Sequence, residues 1–396
     1  MNRERSRSGE SRSPAVLVLE DGRIFQGSSF GALGETLGEA VFATGMTGYQ
    51  ETLTDPSYHR QIVVMTAPHI GNTGLNDEDD ESTRIWVAGY VIRDPAPIAS
   101  NWRARRTLEE GLYEADVIGI CDVDTRAVTR HLRDRGAMRA GIFSGPAFES
   151  MIRDANFSEL LERVRTSQGM SGRNLTAEVS CLAPYEVSCV GLKRHSVVAV
   201  DLGMKSMTPR LLAERGMQVT VVPAQTSAQE VLELSPDGVF FSNGPGDPGA
   251  ARAAVDTMSA ILQAQVPVFG ICFGHQILGR ALGLSTYKMQ FGHRGLNQPV
   301  QDLRTRKVAV TAHNHGFAVA AEVDRPFQTP FGLAEVSHVN LNDGVVEGLR
   351  CLEVPAFSVQ YHPEAAAGTH DAVDLFEDFA TMMEQARSRR SDHAQA

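Results

Sequence analysis

The chain has 396 residues, a formal net charge of −11 at pH 7, and 42% hydrophobic and 21% charged residues. Its length favours two domains, and its composition is typical of globular proteins. The negative charge argues against nucleic acid as the main partner. The five cysteines form no C-x-x-C pair, which argues against a disulfide framework or a zinc site of that kind. No apolar run approaches the roughly 18 residues that span a membrane. We therefore expect reduced thiols and a cytoplasmic protein.

The first elements are a tail and a hairpin. Residues 1–14 are rich in Arg and Ser, and they lack both the apolar core of a secretory signal and the stripe of a transit peptide, so we predict a disordered tail. From Ala15, two apolar runs flank Asp21-Gly22, a strong signal for an antiparallel hairpin. Residues 15–150 are predicted to form a first, mixed α/β domain.

The rest of this half contains further local signals. A strand is predicted over 62–66, a capped helix from Asp124 to a stop at Gly136, and a short strand over 140–144. The glycines of 68–74 lack the spacing of a phosphate-binding loop, which favours a tight connection over a phosphate or cation site. The acidic run 76–81 is typical of a solvated loop. Residues 151–194 are predicted to connect the domains. The residues alone assign no function to this half.

The second half alternates apolar strands with helical patterns. Strands are predicted over 197–200, 219–222 and 238–242, and helices over 207–215, 227–234 and 251–265. This alternation predicts a second domain over 195–388 with an open, mostly parallel, doubly wound sheet. Residues 389–396 are predicted to be a second disordered tail. In such sheets, binding sites form at the carboxyl ends of the strands.

One of these strand ends carries a cysteine in a sharp turn. The stretch Val266-Pro-Val-Phe-Gly-Ile-Cys-Phe-Gly-His-Gln276 predicts a buried strand, a tight turn at Cys272 and a helix directly after it. Small flanking residues and a helix N-terminus favour a nucleophilic thiolate. The alternative is a buried structural cysteine beside a glycine.

Other strand ends offer partners for this cysteine. The strand ending at Tyr361 is followed by His362 and Glu364, a base with an orienting carboxylate, although many single histidines are structural. Gly244 and Gly246 lie in a loop after Ser242 that is suited either to an oxyanion hole or to a simple turn.

A histidine pair raises the question of a metal. His313 and His315 have the H-x-H spacing, but no third ligand has suitable spacing. We interpret this stretch as a loop whose backbone helps to hold a substrate, with metal binding as the alternative.

The motifs taken together resemble a known family. Four segments resemble the class I glutamine amidotransferase domain with its Cys-His-Glu triad: Val239 to Pro248, Val266 to Gln276, His313 to Val319 and Phe357 to Glu364. The N-terminal domain of the carbamoyl-phosphate synthase small chain family is resembled by Met46 to Glu51, Thr54 to Tyr58, Pro68 to Asn72, Asn76-Asp77 and Asp124 to Arg126. The resemblance covers about residues 15 to 388.

This resemblance implies an activity. Glutamine would be hydrolysed to glutamate and ammonia, and the ammonia would pass through a tunnel to a large chain that makes carbamoyl phosphate from bicarbonate and ATP. Cys272 would attack the side-chain amide, His362 would transfer protons, and Glu364 would orient His362. The backbone N–H groups of Gly244 and Phe273 would hold the oxyanion. Further positions that match glutamine-binding residues are Gly246, Gln276, Asn314, Gly316 and Phe317.

One glutamine-binding position departs from the family pattern. Many relatives have serine where this chain has Gly45, so the hydroxyl contact with glutamine is lost, supplied by water or replaced by the backbone.

The resemblance also implies partners and cofactors. We expect glutamine and the large chain as partners, with a higher oligomer of heterodimers left open. We expect no metal or cofactor in this chain, and ATP, magnesium and bicarbonate at the large chain. The product would serve pyrimidine synthesis, arginine synthesis or both.

Three alternatives remain. A related subunit for anthranilate or guanylate synthesis would lack the N-terminal half. A free-standing thiol hydrolase of the same fold would need no partner chain, and a non-catalytic interaction subunit would need no triad.

Overall fold

The structure is a computed structural model that describes residues 12–395, with side chains through residue 389. The chain divides into two compact units. The first contains the described residues up to Thr54 together with Arg60–Gly169, and the second contains Asp55–His59 and the described residues from Met170 onward. The second unit is therefore built from two separate stretches of the sequence.

The first unit is built on a closed barrel with strand order β1-β2-β8-β6-β4-β3-β9. The strands of the whole unit are β1 Pro14–Leu19, β2 Ile24–Gly31, β3 Glu35–Ala43, β4 Gln61–Met65, β5 His69–Ile70, β6 Gly89–Val91, β7 Asp94–Pro95, β8 Ile118–Cys121 and β9 Met138–Ser144, of which β5 and β7 pair with each other outside the barrel. Its helices are α1 Tyr49–Thr54, α2 Leu108–Glu114, α3 Thr125–Arg135, α4 Glu149–Arg153 and α5 Ser158–Thr166. The sequence predicts a mixed α/β domain here but not the closure of the barrel.

Local signals in this unit are confirmed. β1 and β2 pair antiparallel around Asp21-Gly22, with Val18 opposite Ile24. The α3 helix begins after Asp124, whose carboxylate accepts a hydrogen bond from the Ala127 N–H at 3.0 Å. It ends at Gly136, where φ is +100°. Both termini are therefore satisfied by the residue types that favour them.

The tail and connector boundaries differ from the expectation. Residues 1–11 of the predicted tail lie outside the described residues, and Pro14 already begins β1. The first part of the predicted connector is an integral part of the first unit. There, α5 buries Leu160 and Val164 against Val16 and Val18 of β1, because its apolar side chains recur at helical spacing.

The second unit contains a single large sheet and six α-helices among its described residues. Its strands are β10 Tyr185–Val187, β11 His195–Asp201, β12 Met217–Pro223, β13 Gly238–Phe241, β14 Val268–Ile271, β15 Ser285–Asp302, β16 Val308–Ala320, β17 Phe327–Thr329, β18 Gly332–Asn340, β19 Val346–Cys351 and β20 Ala356–Val359. Its helices are α6 Thr176–Val179, α7 Met207–Glu214, α8 Ala228–Glu233, α9 Arg252–Gln263, α10 Phe273–Ala281 and α11 Leu375–Gln395.

The parallel part of this sheet has the predicted architecture. Strands β12, β11, β13, β14 and β20 pair side by side in parallel, and β14 lies between β13 and β20. All four residues of β14 are buried, as expected for a strand with helices on both faces. The carboxyl ends of β11, β13, β14 and β20 therefore meet at one edge.

An antiparallel extension of the sheet was not predicted. It continues from β20 through β19, β18, β15 and β16. The interpretation of residues 312–317 as a loop is wrong, because they lie within the strand β16, which pairs with β15. The polar sequence His-Asn-His-Gly favours a loop interpretation, although most of these residues are buried in the structure.

The C-terminal prediction also needs correction. The segment predicted as a disordered tail from residue 389 continues α11, which extends to Gln395. Its composition explains this, since Arg, Gln and Ala favour helices. Among the described residues, none of the helices combines the length and the apolar character that crossing a membrane requires.

Candidate active site

Cys272 occupies a strained turn between β14 and α10. Its backbone has φ +54° and ψ −101°, values that favour glycine. A side chain at either flanking glycine would collide with backbone: a Cβ at Gly270 would lie 2.7 Å from the Gly274 oxygen, and one at Gly274 would lie 2.2 Å from the Phe241 oxygen. The predicted strand, turn and helix are therefore confirmed.

The Cys272 thiol is almost fully buried, with 2% of the residue exposed. Its Sγ donates a hydrogen bond to the Asn314 carbonyl at 3.5 Å, and its backbone N–H donates to Val359 O at 2.9 Å. These contacts tie the turn to β16 and β20. Phe273 follows as the first residue of α10, where backbone N–H groups have no acceptor within the helix.

His362 and Glu364 form a buried pair just beyond β20. The His362 Nδ1 lies 2.7 Å from Oε1 of Glu364, and the exposed fractions of the two residues are 3% and 1%. Carboxylate contact at Nδ1 leaves Nε2 for chemistry, and this nitrogen is buried without a hydrogen-bond partner. The His362 N–H donates to Ala312 O at 2.8 Å, which anchors the residue to β16.

Opposing effects act on the pKa values of this pair. Burial lowers the pKa of His362, but the charges of Glu364 and Cys272 outweigh it, so the net shift is upward. Burial raises the pKa of Glu364, but His362 and Lys205 outweigh it, so the net shift is downward. A protonated imidazole and an ionised carboxylate are thus favoured together, with Cys272 beside the imidazole.

A second histidine near the cysteine has a different character. His275 is fully buried, its Nδ1 lies 2.9 Å from the Ser358 hydroxyl, and burial lowers its pKa to about 3. It is neutral and has no carboxylate partner among the hydrogen bonds described. Of these two histidines, only His362 has the environment of a general base.

The loop after β13 requires its glycines. A Cβ at Gly244 would lie 2.1 Å from the Leu202 oxygen, and Gly246 has φ +101°. The Gly274 N–H donates to Ser242 O at 3.0 Å, which joins this loop to the start of α10. Gly244 and Phe273 therefore lie on adjoining segments, an arrangement in which two backbone N–H groups can serve one oxyanion.

The residues matched to glutamine binding gather around β16. Gln276 donates from Nε2 to the Phe317 carbonyl at 2.9 Å and to Gln360 Oε1 at 3.0 Å. Asn314 is buried, and Gly316 lies between it and Phe317 on the same strand. The second unit thus brings these residues together near Cys272.

Gly45 belongs to the first unit. It is buried and follows the end of β3. Its role in glutamine binding stays a prediction.

Two residues at this site were missed by sequence reasoning. Lys205, which is 4% exposed, places Nζ 3.4 Å from Glu364 Oε1. It follows β11, so the rule about strand ends could have found it. Asp55 accepts from Asn314 Nδ2 at 2.9 Å and from Asn243 Nδ2 at 3.4 Å. No local signal links Asp55 to Asn314 across 259 positions.

The histidine pair on β16 has partners that sequence spacing did not suggest. His293 from β15 and Glu347 from β19 join His313 and His315 in a buried group. The argument against a metal rested on the lack of a third ligand, and the fold supplies two.

Family models and similar proteins cover both halves of the chain. The family model "Carbamoyl-phosphate synthase small chain, CPSase domain" matches residues 17–142, and "Glutamine amidotransferase class-I" matches residues 198–382. A carbamoyl phosphate synthase small chain from Streptomyces avermitilis is 62% identical over 383 residues, 97% of this chain and 99% of that protein. Relatives of the same name from Mycobacterium leprae and Mycobacterium tuberculosis H37Rv are each 59% identical, covering 94% of this chain and 99% and 98% of theirs. The chain belongs to the carbamoyl-phosphate synthase small chain family.

Family membership decides between the alternatives. The resemblance drawn from the motifs is confirmed over nearly the whole chain, and the match to residues 17–142 disfavours amidotransferase subunits that lack such a domain. The function is that of the glutamine-hydrolysing subunit, and the second domain is a class I glutamine amidotransferase.

Proposed function

We propose that Cys272, His362 and Glu364 carry out the glutamine hydrolysis of this subunit. The main support is the buried His362–Glu364 pair beside a cysteine held in a strained turn. A nucleophilic thiol needs an adjacent base, and that base needs an orienting group.

In the first half-reaction the Cys272 thiol transfers its proton to Nε2 of His362, and the resulting thiolate attacks the side-chain amide carbon of glutamine. The C–N bond breaks, and protonated His362 donates its proton from Nε2 to the leaving nitrogen, which departs as ammonia. The product on the enzyme is a glutamyl thioester. Glu364 stabilises the imidazolium before the transfer and keeps the ring oriented afterwards.

In the second half-reaction the neutral His362 takes a proton from water. The resulting hydroxide attacks the thioester carbonyl, the C–S bond breaks, and Cys272 leaves as the thiolate. Glutamate is released, and transfer of the proton from His362 back to Cys272 returns the site to its starting protonation state. The sum is glutamine plus water giving glutamate plus ammonia.

In both steps the backbone N–H groups of Gly244 and Phe273 donate hydrogen bonds to the negatively charged oxygen. Pro245 has no N–H and cannot take part. Glutamine is held by groups of Gly246, Gln276, Asn314, Gly316 and Phe317, with Gly45 contributing at most through its backbone.

The ammonia is passed to a large chain that uses bicarbonate, ATP and magnesium to make carbamoyl phosphate for pyrimidine or arginine synthesis in the cytoplasm. The relatives' printed names, each a small chain, support such a partner. Further association of the heterodimer belongs to the same proposal.

The test is Cys272→Ser in the complex reconstituted with the large chain. Glutamine-dependent formation of carbamoyl phosphate should fall by roughly 10⁴-fold or more, because a serine hydroxyl is far harder to ionise. Synthesis from added ammonium should be unchanged.

Cys351→Ser is the matched control. Cys351 is also buried, and burial raises its pKa to about 12, which disfavours the thiolate form. This variant should retain both activities. Loss of both activities in Cys272→Ser would make Cys272 structural, and retained glutamine use would exclude it as the nucleophile.

A further inference from the structure

Three histidines and a glutamate form a buried cluster apart from the triad. We call His293, His313, His315 and Glu347 the histidine–glutamate cluster. They come from three strands, and one ligand atom of each lies within 4.8 Å of the others. Their exposed fractions range from 0% for Glu347 to 6% for His293.

The spacing of these atoms fits a tetrahedral ion. His313 Nδ1 lies 3.2 Å from His315 Nε2 and 3.7 Å from Glu347 Oε1, and His293 Nδ1 lies 3.3 Å from the same Glu347 oxygen. Metal–ligand bonds of about 2.0–2.1 Å in a tetrahedron place neighbouring ligand atoms about 3.3 Å apart. These three separations are within about 0.4 Å of the tetrahedral value, and the ligand atoms of all four residues lie within 4.8 Å of one another.

Hydrogen bonds at the outer ring nitrogens of His313 and His315 leave the lone pairs of the inner ring nitrogens directed into the cluster. His315 Nδ1 lies 2.9 Å from the Phe317 carbonyl, which only accepts, so Nε2 presents a lone pair. The Thr311 hydroxyl donates to Gln298 O at 2.8 Å and so accepts from His313 Nε2 at 2.7 Å. The lone pair of His313 Nδ1 then faces that of His315 Nε2, an arrangement that a cation stabilises.

His293 and Glu347 complete the arrangement. His293 Nε2 lies 2.8 Å from Asp343 Oδ2, which leaves Nδ1 facing the cluster. This Nδ1 faces Glu347 Oε1 at 3.3 Å but forms no hydrogen bond, and the other oxygen of Glu347, Oε2, is also buried without a hydrogen-bond partner. Buried polar atoms are rarely left in that state, and a bound ion is one way to satisfy them.

We propose that the histidine–glutamate cluster binds a divalent transition metal ion, for which Zn²⁺ is the best fit. Three imidazole nitrogens and one carboxylate oxygen are ligands that zinc accepts, and the outer contacts to Asp343, Thr311 and Phe317 are of the kind that orients histidine ligands.

The ion would be structural, because the protein fills all four positions. It would join β15, β16 and β19. β16 also carries the Asn314 carbonyl that accepts from Cys272 and the Phe317 carbonyl that accepts from Gln276. The ion thus fixes the strand on which the active site is built.

A metal-free arrangement is the competing state. If the Thr311 hydroxyl turns to donate to His313, hydrogen bonds can run from Thr311 through His313 and His315 to Phe317, with a protonated His293 against Glu347. Such a chain needs no ion.

The experiment measures metal content and affinity. Full-length protein is stripped with a chelator, titrated with Zn²⁺ alone against a chromophoric competitor, and analysed for bound metal after desalting. We expect one equivalent per chain and a lower thermal midpoint for the stripped form. Substitution with Co²⁺ should produce the visible absorption of a tetrahedral ion.

Variants locate the ion. The double variant His293→Asn, Glu347→Gln should no longer bind the one equivalent of Zn²⁺. The control His131→Asn, in a surface histidine–aspartate pair, should still bind it. Asp343→Asn, which changes a half-exposed outer contact, should weaken binding by roughly 10–100-fold and remains informative if the double variant does not fold.

Cys272→Ser separates this site from the triad and should still bind one equivalent. The proposal is overturned if wild-type protein binds no ion, if Asp343→Asn binds as tightly as wild type, or if Cys272→Ser abolishes binding.

Discussion

At the scale of single residues, His362 and Glu364 show how two buried ionisable groups are retained. Each is destabilised as an ion by burial, and each is stabilised by the other at 2.7 Å. Lys205 adds a second positive charge 3.4 Å from the carboxylate. Removing one partner of such a pair leaves a buried charge without compensation, which is far more costly than losing a surface pair.

Glu364→Gln should therefore destabilise the protein in a pH-dependent way. The lowered pKa of Glu364 contributes stability above its ordinary value of 4.5, and the raised pKa of His362 contributes below its ordinary value of 6.5, so the full contribution lies between the two. It declines as pH rises above 6.5 toward the raised pKa of His362. We expect a loss of roughly 3–5 kcal/mol near pH 6 and a smaller loss near pH 9 in urea unfolding.

Asp21→Asn is the control for that measurement. It removes the carboxylate from a surface pair in which His131 Nε2 lies 2.6 Å from Asp21. Its effect should stay below about 1 kcal/mol at both pH values. An equal loss at both pH values in Glu364→Gln would mean that the pair contributes through packing rather than charge.

At the scale of elements, the turn between β14 and α10 carries backbone strain at Cys272. Cys272 has a backbone conformation suited to glycine, and its neighbours Gly270 and Gly274 have no room for a side chain. A non-glycine residue held in such a region costs on the order of 1–3 kcal/mol.

Glycine at position 272 should accordingly stabilise the fold. Cys272→Gly is expected to unfold with a free energy about 1–2 kcal/mol greater than that of Cys272→Ala, because glycine adopts φ +54° without strain. Chemical denaturation of the two inactive variants measures the difference. Ala281→Gly, at the end of α10, is the control. It should lower the free energy of unfolding by about 0.5–1 kcal/mol, because glycine destabilises an ordinary helical position. A less stable Cys272→Gly would show that the turn is unstrained.

These elements also show what the sequence could predict. The turn at Cys272, the cap at Asp124 and the hairpin at Asp21-Gly22 are specified by neighbouring residues, and each is present in the structure. The strand-end rule also predicts that His362 lies near Cys272, and the structure places the two side chains together.

The failures involve distant pairing. The polar part of β16 is interpreted from the sequence as a loop. Its extended conformation depends on pairing with β15, and the local sequence does not reveal that pairing. Glu347 and His293 were not recognised as neighbours of the H-x-H pair because separate strands bring them together. For the first half, whose residues alone assign no function, family resemblance identifies the domain.

At the scale of the whole molecule, the division of the chain does not follow the order of the sequence. Asp55–His59 belongs to the second unit although it lies between segments of the first. Asp55 is 5% exposed, and its Oδ2 accepts from Asn314 at 2.9 Å while its Oδ1 accepts from Ser57 N–H. Asp55 is thus a positioning residue for a strand that carries matched glutamine-binding residues.

Asp55→Asn should separate binding from turnover. The new amide would place an NH₂ group against the Asn314 amide, so Asn314 should lose its orientation. We expect the KM for glutamine to rise roughly 10–100-fold, the equivalent of one hydrogen bond to a charged group, with kcat little changed. Steady-state glutaminase kinetics of the complex measure both.

The control is Asp124→Asn. Asp124 has the same local role, accepting a backbone N–H at the start of α3 in the first unit, and asparagine caps helices equally well. Its kinetic constants should match those of wild type. A fall in kcat without a change in KM in Asp55→Asn would contradict the positioning role.

The two-part construction of the second unit limits how its gene can recombine. A crossover between codons 60 and 169 would leave Asp55 with one parent and Asn314 with the other. Such a hybrid keeps the hydrogen bond only when the first parent encodes a carboxylate at this position. Breakpoints in this interval should therefore be tolerated between relatives that both encode a carboxylate at position 55 and selected against where one parent lacks it.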